Sequence, residues 1–397
     1  MAERILCLNA GSSSIKFALF RVGENVEPTA AAHGRIEKIG IAPRLIVQDP
    51  AGAVILDRRW DGGGADFSHE ALMAELLDGV EAHVGADLRG VGHRVVHGGN
   101  RFVAPVMVSA EVIAELEALC PLAPLHQPHN LSAIRAIAAH RPDLRQVACF
   151  DTAFHHAQPA VARRVALPRA YADEGVVRYG FHGISYEYIL RRLEDGDPLF
   201  AGGRVIAAHL GNGASLCAMK DGRSVDTTMG FTALDGLMMG TRCGSIDPGI
   251  LLYLLQQKGL SAAAIEHLLY SESGLLGVSG LSSDMRTLLA SDDPHAVESV
   301  ELFVYRVVRE AGALTATLGG LDQFVFTGGI GENAAEIRAR VAAGLGWLGA
   351  ELDEEANRRG DAVISTATSR LMLRVVPTDE ERMIAIHTRT LLENARS

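Results

Sequence analysis

Short polar clusters carrying lysine, histidine, arginine or a carboxylate recur at strand ends and glycine turns along this chain, and their residue types and spacing can support chemistry. They fall at LNAGSSSIK (8–16), GHRVVHGG (92–99), DTAFH (151–155), RYGFHG (178–183), GTR (240–242) and GGIGEN (328–333). Phosphoryl transfer asks for small-residue turns whose N–H groups approach phosphate, carboxylates for a divalent cation, and cations around the moving group. These stretches supply all three. The first looks like a phosphate loop, because Lys16 follows Gly11 by five residues. A Walker loop needs a second glycine directly before its lysine and a helix after it. Ile15 stands there instead, and Ile15, Phe17 and Leu19 alternate with Lys16, Ala18 and Phe20. That period of two predicts strand, turn and strand. The GGIGEN turn is a candidate nucleotide loop, although a glycine turn between strand and helix often serves packing alone.

The elements that must hold these turns follow from periodicity. A second apolar strand, polar turn and strand occurs at VIAAHLGNGASLCAM (205–219), and Asp221-Gly222 turns into a further strand at 223–228. Two such hairpins half a chain apart fit two related α/β domains, or the plain fact that glycine-rich hairpins are common. Helical spacing predicts helices over 110–119, 130–140, 248–258, 261–270, 296–318, 332–345 and 380–394, and strands over 146–150, 322–327 and 371–376. Strands alternating with helices favour a largely parallel core, with ligands at the carboxyl ends of the strands.

Bulk properties narrow the classes. A chain of 397 residues is long for one core and points to two domains. With 48% hydrophobic residues, 21% charged residues and 42 glycines, the composition is that of a globular α/β protein. A net charge of −11 argues against a nucleic-acid groove or an anionic membrane surface. Five cysteines without CxxC spacing read as reduced, buried thiols in a cytoplasmic protein. The apolar run before Asn9 is only four residues long, Ile5 to Leu8, which does not make a signal peptide, and no apolar run approaches the roughly 20 residues of a membrane span. Neither His126 with His129 nor His155 with His156 belongs to a closed zinc ligand set.

The motifs together resemble the acetate and propionate kinase family of short-chain carboxylate kinases. LNAGSSSIKF, GHRVVHGG, LAPLHQPHN, FDTAFH, RYGFHGIS, HLGNGAS, GLMMGTRCGSIDPG, SGLSSDMR, FTGGIGEN and PTDEERMIA occur in family order over residues 5–386. The resemblance implies an α/β fold of two duplicated ribonuclease H-like (actin-like ATPase) domains with an active-site cleft between them. One domain would comprise 1–151 plus 382–397 on the acyl-substrate side, the other 152–381 on the nucleotide side. Hinges near Asp151 and Glu380 would let them close on nucleotide. It further implies Asn9, Asp151 and Glu380 around Mg²⁺ (or Mn²⁺), although Glu380 or Glu381 could be only first-turn helix acids. Lys16 would balance phosphate charge, Arg94 would hold the substrate carboxylate, and Arg242 and His182 would act on the transferring phosphoryl group. His126 and His209 match further active-site histidines. ATP and ADP would meet Ser14, Lys16, His209, Leu210, Gly211, Asn212, Gly213, Asp284, Met285, Arg286, Gly329, Ile330, Gly331, Glu332 and Asn333. Val96, Leu125, Phe181 and Ala233 would line the acyl pocket.

The expected activity is reversible, Mg²⁺-dependent, in-line transfer of the ATP γ-phosphoryl group to acetate by a cytoplasmic homodimer. Propionate is the alternative acceptor, because Ala233 stands where the family commonly has proline. Other departures are Ile184 and Tyr186 in GFHGISY, against the family's GFHGTSH, and Cys243 and Ser245 in GTRCGSIDP, against GTRSGDIDP. A nucleotide-gated chaperone or filament subunit shares the implied fold but would not need the acyl-site set Arg94, Val96, Phe181 and Arg242. A serine hydrolase lacks its GxSxG elbow here.

Overall fold

The computed structural model describes residues 3–11, 14–23, 26–60, 69–84, 88–196 and 203–395. The chain forms two compact units, Met1–Phe154 with Asp379–Ser397, and His155–Thr378.

In the first unit the alternation read at 15–20 builds a hairpin of β1 (Arg4–Ala10) and β2 (Ser14–Gly23), in which Asn9 pairs with Lys16. It continues through β3 (Val26–Glu37), β4 (Arg44–Gln48) and β5 (Val54–Arg59), then β6 (Leu88–Val95), β7 (Val106–Met107) and β8 (Gln146–Phe150). Among the described residues the sheet order is β5-β4-β3-β2-β1-β6-β8-β7, with β6 parallel to both β1 and β8. Leu72, Met73, Leu76, Leu77 and Val80, at helical spacing on His69–Val84, bury against Leu6, Leu8, Phe17 and Leu19. Each fully buried side chain of this kind contributes roughly 1.5–3 kcal/mol. The helix Glu380–Asn394 packs against β1 and β6, where two glycines admit it closely. A Cβ on Gly92 would lie 2.3 Å from Thr388 Oγ1, and one on Gly90 would lie 2.7 Å from Leu392 Cδ1.

The second unit's sheet holds β9 (Arg204–Leu210), β10 (Ala214–Lys220), β11 (Arg223–Thr227), β12 (Gln323–Thr327) and β13 (Met372–Val375), in the order β11-β10-β9-β12-β13. Two antiparallel pairings followed by two parallel ones repeat the β3-β2-β1-β6-β8 pattern of the first unit. The two units are therefore topological duplicates of the ribonuclease H-like kind, and the hairpin similarity reflects more than common turn chemistry. Along the helix Pro294–Leu318, Val300, Phe303, Val307, Ala311, Leu314 and Leu318 form one buried stripe.

One expected element differs. GGIGEN is not an open turn leading into a helix over 332–345. Gly328, at φ +75°, starts a six-residue helix, Gly328–Asn333. Ala334, at φ −98° and ψ 83°, breaks it before a second helix, Ala335–Gly344. The cysteines are all free, with Cys7, Cys149 and Cys217 buried and Cys120 and Cys243 half-buried. No helix among the described residues is long and apolar enough to cross a membrane.

Candidate active site

In the first unit the carboxyl ends of β1, β6 and β8 bring three predicted residues together. Arg94 closes β6, and Asp151 follows β8. The Arg94 guanidinium donates from Nε and Nη2 to the Asp151 carboxylate, with a shortest contact of 2.6 Å, and from Nη1 to Asn9 Oδ1 at 3.1 Å. Asp151 is 1% exposed. A carboxylate so deeply buried requires a cation or hydrogen bonds, and Arg94 supplies both. Asn130 ties the strand ends together: its Nδ2 donates to the Ala10 carbonyl at 2.8 Å, and its Oδ1 accepts from the Val96 N–H at 3.0 Å. Gln127 holds both backbone groups of one residue, accepting from the His97 N–H at 3.2 Å and donating to the His97 carbonyl at 3.0 Å. Neither amide has a role in the sequence pattern, since nothing local marks a side chain that bonds backbone groups far away in the chain.

The C-terminal helix delivers its acidic first turn, Glu380 and Glu381, to this cluster. Burial pushes the Glu380 carboxyl up; Arg94 and Lys16 pull it back and Asp151 pushes it further. Burial, and then Glu380, raises Glu381. Burial opposes the charge of Arg94, yet Asp151 and Glu380 hold it above its ordinary value. Among the described residues no group of three or more His, Cys, Asp or Glu side chains is disposed to hold a metal ion. The hard oxygens of Asp151, Glu380 and Asn9 nevertheless suit Mg²⁺, which is usually held by one or two carboxylates with phosphates and waters completing the shell. The negative charge crowded at the half-buried Glu380 and Glu381 is what a divalent cation would relieve. Lys16 stands exposed on β2 opposite Asn9, and the Gly11 N–H closes the hairpin onto the Ser14 carbonyl at 2.8 Å. Val96 is buried, Leu125 exposed.

In the second unit the β9–β10 turn, Gly211-Asn212-Gly213, organises the other predicted group. Its Gly211 N–H donates to the Gly213 carbonyl at 3.1 Å, and the Asn212 carbonyl accepts from the Gly240 N–H at 3.0 Å. That second bond ties GTR (240–242) to the turn. The Arg242 Nη1 donates to the Ala233 carbonyl at 2.6 Å. A Cβ on Gly213 would stand 2.8 Å from Arg242 Nη2 and 3.3 Å from His182 Nε2, so a single missing side chain leaves room where both converge. The His182 and His209 rings stack, with centroids 4.4 Å apart at 22°. Hydroxyls hold both Nδ1 atoms: Ser215 Oγ for His182 and Ser185 Oγ for His209, each at 2.9 Å. Phe181 is buried beside them in sequence, and its carbonyl accepts from His155 Nε2 at 2.9 Å. With that proton on Nε2, His155 Nδ1 accepts from Ser224, and burial lowers the ring to about 4. His155 is therefore a neutral structural residue.

The remaining predicted nucleotide contacts have local partners. Glu332 accepts from the backbone N–H groups of Gly328 (2.9 Å) and Thr378 (3.1 Å), which fixes the glycine turn. Asn333 Nδ2 donates to the Gly329 carbonyl at 2.9 Å. Asp284 caps the short helix Met285–Leu289 and pairs with Arg286 at 2.9 Å, leaving that guanidinium exposed and Met285 buried. Gly329, Ile330 and Gly331 lie in the short helix that follows β12, and Leu210 ends β9.

Two duplicated α/β units with polar clusters at their strand ends define a protein of the actin-like ATPase type. The acetokinase family model matches residues 4–386, and the chain belongs to that family. It is 56% identical over its full length to the acetate kinase of Rhodopseudomonas palustris (strain TIE-1), covering 100% of each chain. It is 53% identical to that of Methylocella silvestris, covering 99% of each. Among solved structures it resembles the acetate kinase of Porphyromonas gingivalis (38% identity, TM-score 0.88) and a propionate kinase from Francisella tularensis (36%, TM-score 0.91). Each alignment covers 98% of this chain and 100% of the other.

Proposed function

We propose that this chain is a carboxyl-acceptor phosphotransferase that moves the γ-phosphoryl group of ATP reversibly to acetate, giving acetyl phosphate and ADP. The observation that carries the reading is its 53–56% identity, over essentially whole chains, to proteins named acetate kinase. The acceptor is already an anion, so no residue has to remove a proton, and catalysis consists of positioning and charge neutralisation. Arg94 suits the acetate carboxylate: Asp151 and Asn9 occupy its Nε and one N–H of each Nη, leaving one N–H on each Nη for a planar ligand. Arg242 and the Nε2 edge of His182 neutralise the moving phosphoryl group, and Lys16 supports phosphate charge. Asn9, Asp151 and Glu380 would hold Mg²⁺, which supplies charge neutralisation of the phosphates. Ser14, the 209–213 turn, the 284–286 segment and the 329–333 helix serve the nucleotide. Val96, Leu125, Phe181 and Ala233 serve the acyl group. The protein is cytoplasmic in this reading, consistent with its five free thiols.

Propionate is the second acceptor, favoured by Ala233 and by the likeness to the Francisella enzyme. A hydroxamate assay with ATP and Mg²⁺ across acetate, propionate and butyrate decides between them, since one methylene changes discrimination by roughly 1–3 kcal/mol. Highest kcat/KM on acetate supports the proposal, and ATP consumption independent of any acid overturns it.

The chain further works as a homodimer. The helix Pro248–Gln256 (PGILLYLLQ) has no buried residue, although Ile250, Leu252, Tyr253 and Leu255 are 43–55% exposed. A second copy would cover this apolar helix by an isologous contact.

A further inference from the structure

Tyr186 is wholly buried. Its hydroxyl lies 2.5 Å from Ser215 Oγ, whose other side-chain partner is His182 Nδ1 at 2.9 Å. The three groups form an unbroken line from the first turn of the helix Gly183–Gly196, through β10, to the histidine ring. The backbone closes the same circuit, because the Tyr186 N–H donates to the His182 carbonyl at 3.1 Å. His182 itself sits at φ +56°, a left-handed conformation that strains a non-glycine residue. The surroundings thus hold its ring in place against a local preference.

We propose that Tyr186 is a positioning residue that sets the tautomer of His182 through Ser215. Among the described residues Ser215 Oγ has no side-chain partner besides these two, and with its one proton kept in the line, the line runs in one of two senses. In one, Tyr186 donates to Ser215 and Ser215 donates to His182 Nδ1, so the ring proton sits on Nε2. In the other, His182 Nδ1–H donates to Ser215 and Ser215 donates to Tyr186, which leaves a neutral ring with a bare Nε2. A phenol is the more acidic and therefore the stronger donor of the two hydroxyls. The first sense is therefore the one the proposal takes. It turns an N–H toward the space above Gly213, where Arg242 Nη2 also points. Two donors then face the place where a phosphoryl oxygen would sit, whereas a bare Nε2 would repel that oxygen. The inference rests on the reading of His182 as a phosphoryl-side group, and the tests separate the two.

The direct test is the ¹⁵N spectrum of the His182 ring in the folded, ligand-free protein. An Nε2–H tautomer is expected, and an Nδ1–H tautomer overturns the proposal without any variant. Tyr186→Phe should mix the tautomers and lower kcat roughly 10–100-fold, with KM for acetate and ATP within about twofold. In a Ser215→Ala background the same change should cost less than about twofold, because the line is already cut. Equal losses in both backgrounds, or an unchanged spectrum in Tyr186→Phe, overturn it. Full activity of His182→Ala would instead remove His182 from the proposed chemistry while the spectrum still decided the tautomer.

Discussion

Gly213 has no side chain, and that vacancy is where Arg242 and His182 converge. The residue lies outside the left-handed region, so an alanine there meets no backbone strain. Its methyl would instead stand 2.8 Å from Arg242 Nη2, the far end of a flexible side chain that can swing aside. Gly213→Ala should therefore leave the melting temperature within about 2 °C of wild type and lower kcat by on the order of 10²-fold, the cost of a misplaced catalytic group. Arg242→Ala removes the group itself and should cost on the order of 10³-fold. Stopped assays and melts on both variants check this, and Gly213→Ala within threefold of wild type refutes the convergence. Arg94 behaves differently, because it also compensates the buried Asp151. Arg94→Ala should raise the KM for acetate and also destabilise the fold by about 3–5 kcal/mol, since it strands a buried carboxylate. Arg94→Ala,Asp151→Asn should recover much of the stability in urea melts but none of the activity.

The C-terminal helix is the element on which the first cluster depends. It returns to the first unit and lies so close to β6 that a Cβ at position 90 or 92 would collide with its side chains. Gly92→Val would drive a side chain into Thr388 and Ile384 and lift the first turn that carries Glu380 and Glu381. We expect lower stability and weaker Mg²⁺ dependence of turnover together, whereas loss of stability with an unchanged Mg²⁺ titration would uncouple helix seating from the site. Much of this framework was legible beforehand. The apolar QVACF gives a strand at Gln146–Phe150, and the alternation at 15–20 gives β2. Asp379, Glu380 and Glu381 before an apolar period mark the start of the last helix. The strands β3 to β5 were not legible, because the outer one, VILDRR, is half-buried at best and shows no alternation. Nor were the partners of the histidines. Ser185 binds both His209 and Thr378, 24 and 193 residues away, and no local pattern encodes such a pairing.

At the scale of the whole molecule, the exposed helix Pro248–Gln256 predicts that Leu252→Glu with Tyr253→Glu converts a dimer to a monomer in sedimentation. A wild-type chain that sediments as a monomer refutes the pairing. Histidines buried in neutral form contribute to acid sensitivity: His93, His97 and His155 are each lowered by burial from 6.5 to about 4. An unfolded histidine takes up its proton near 6.5 and the folded one only near 4. The stability each contributes is therefore complete above 6.5, declines as pH falls, and is lost by about 4. Glu380 and Glu381, raised by burial, work in the opposite sense, so the pH profile of the wild type alone is a sum of opposed effects. A difference isolates one histidine. Glutamine at 155 can donate to Phe181 and accept from Ser224 without titrating. His155→Gln should be less stable than wild type at pH 7 because its packing is poorer. That gap should then narrow by about 3 kcal/mol between pH 6.5 and pH 4, the worth of one 2.5-unit shift. Urea midpoints of the pair at half-unit steps measure it, and a gap that stays constant over the window shows that His155 is not held neutral by the fold.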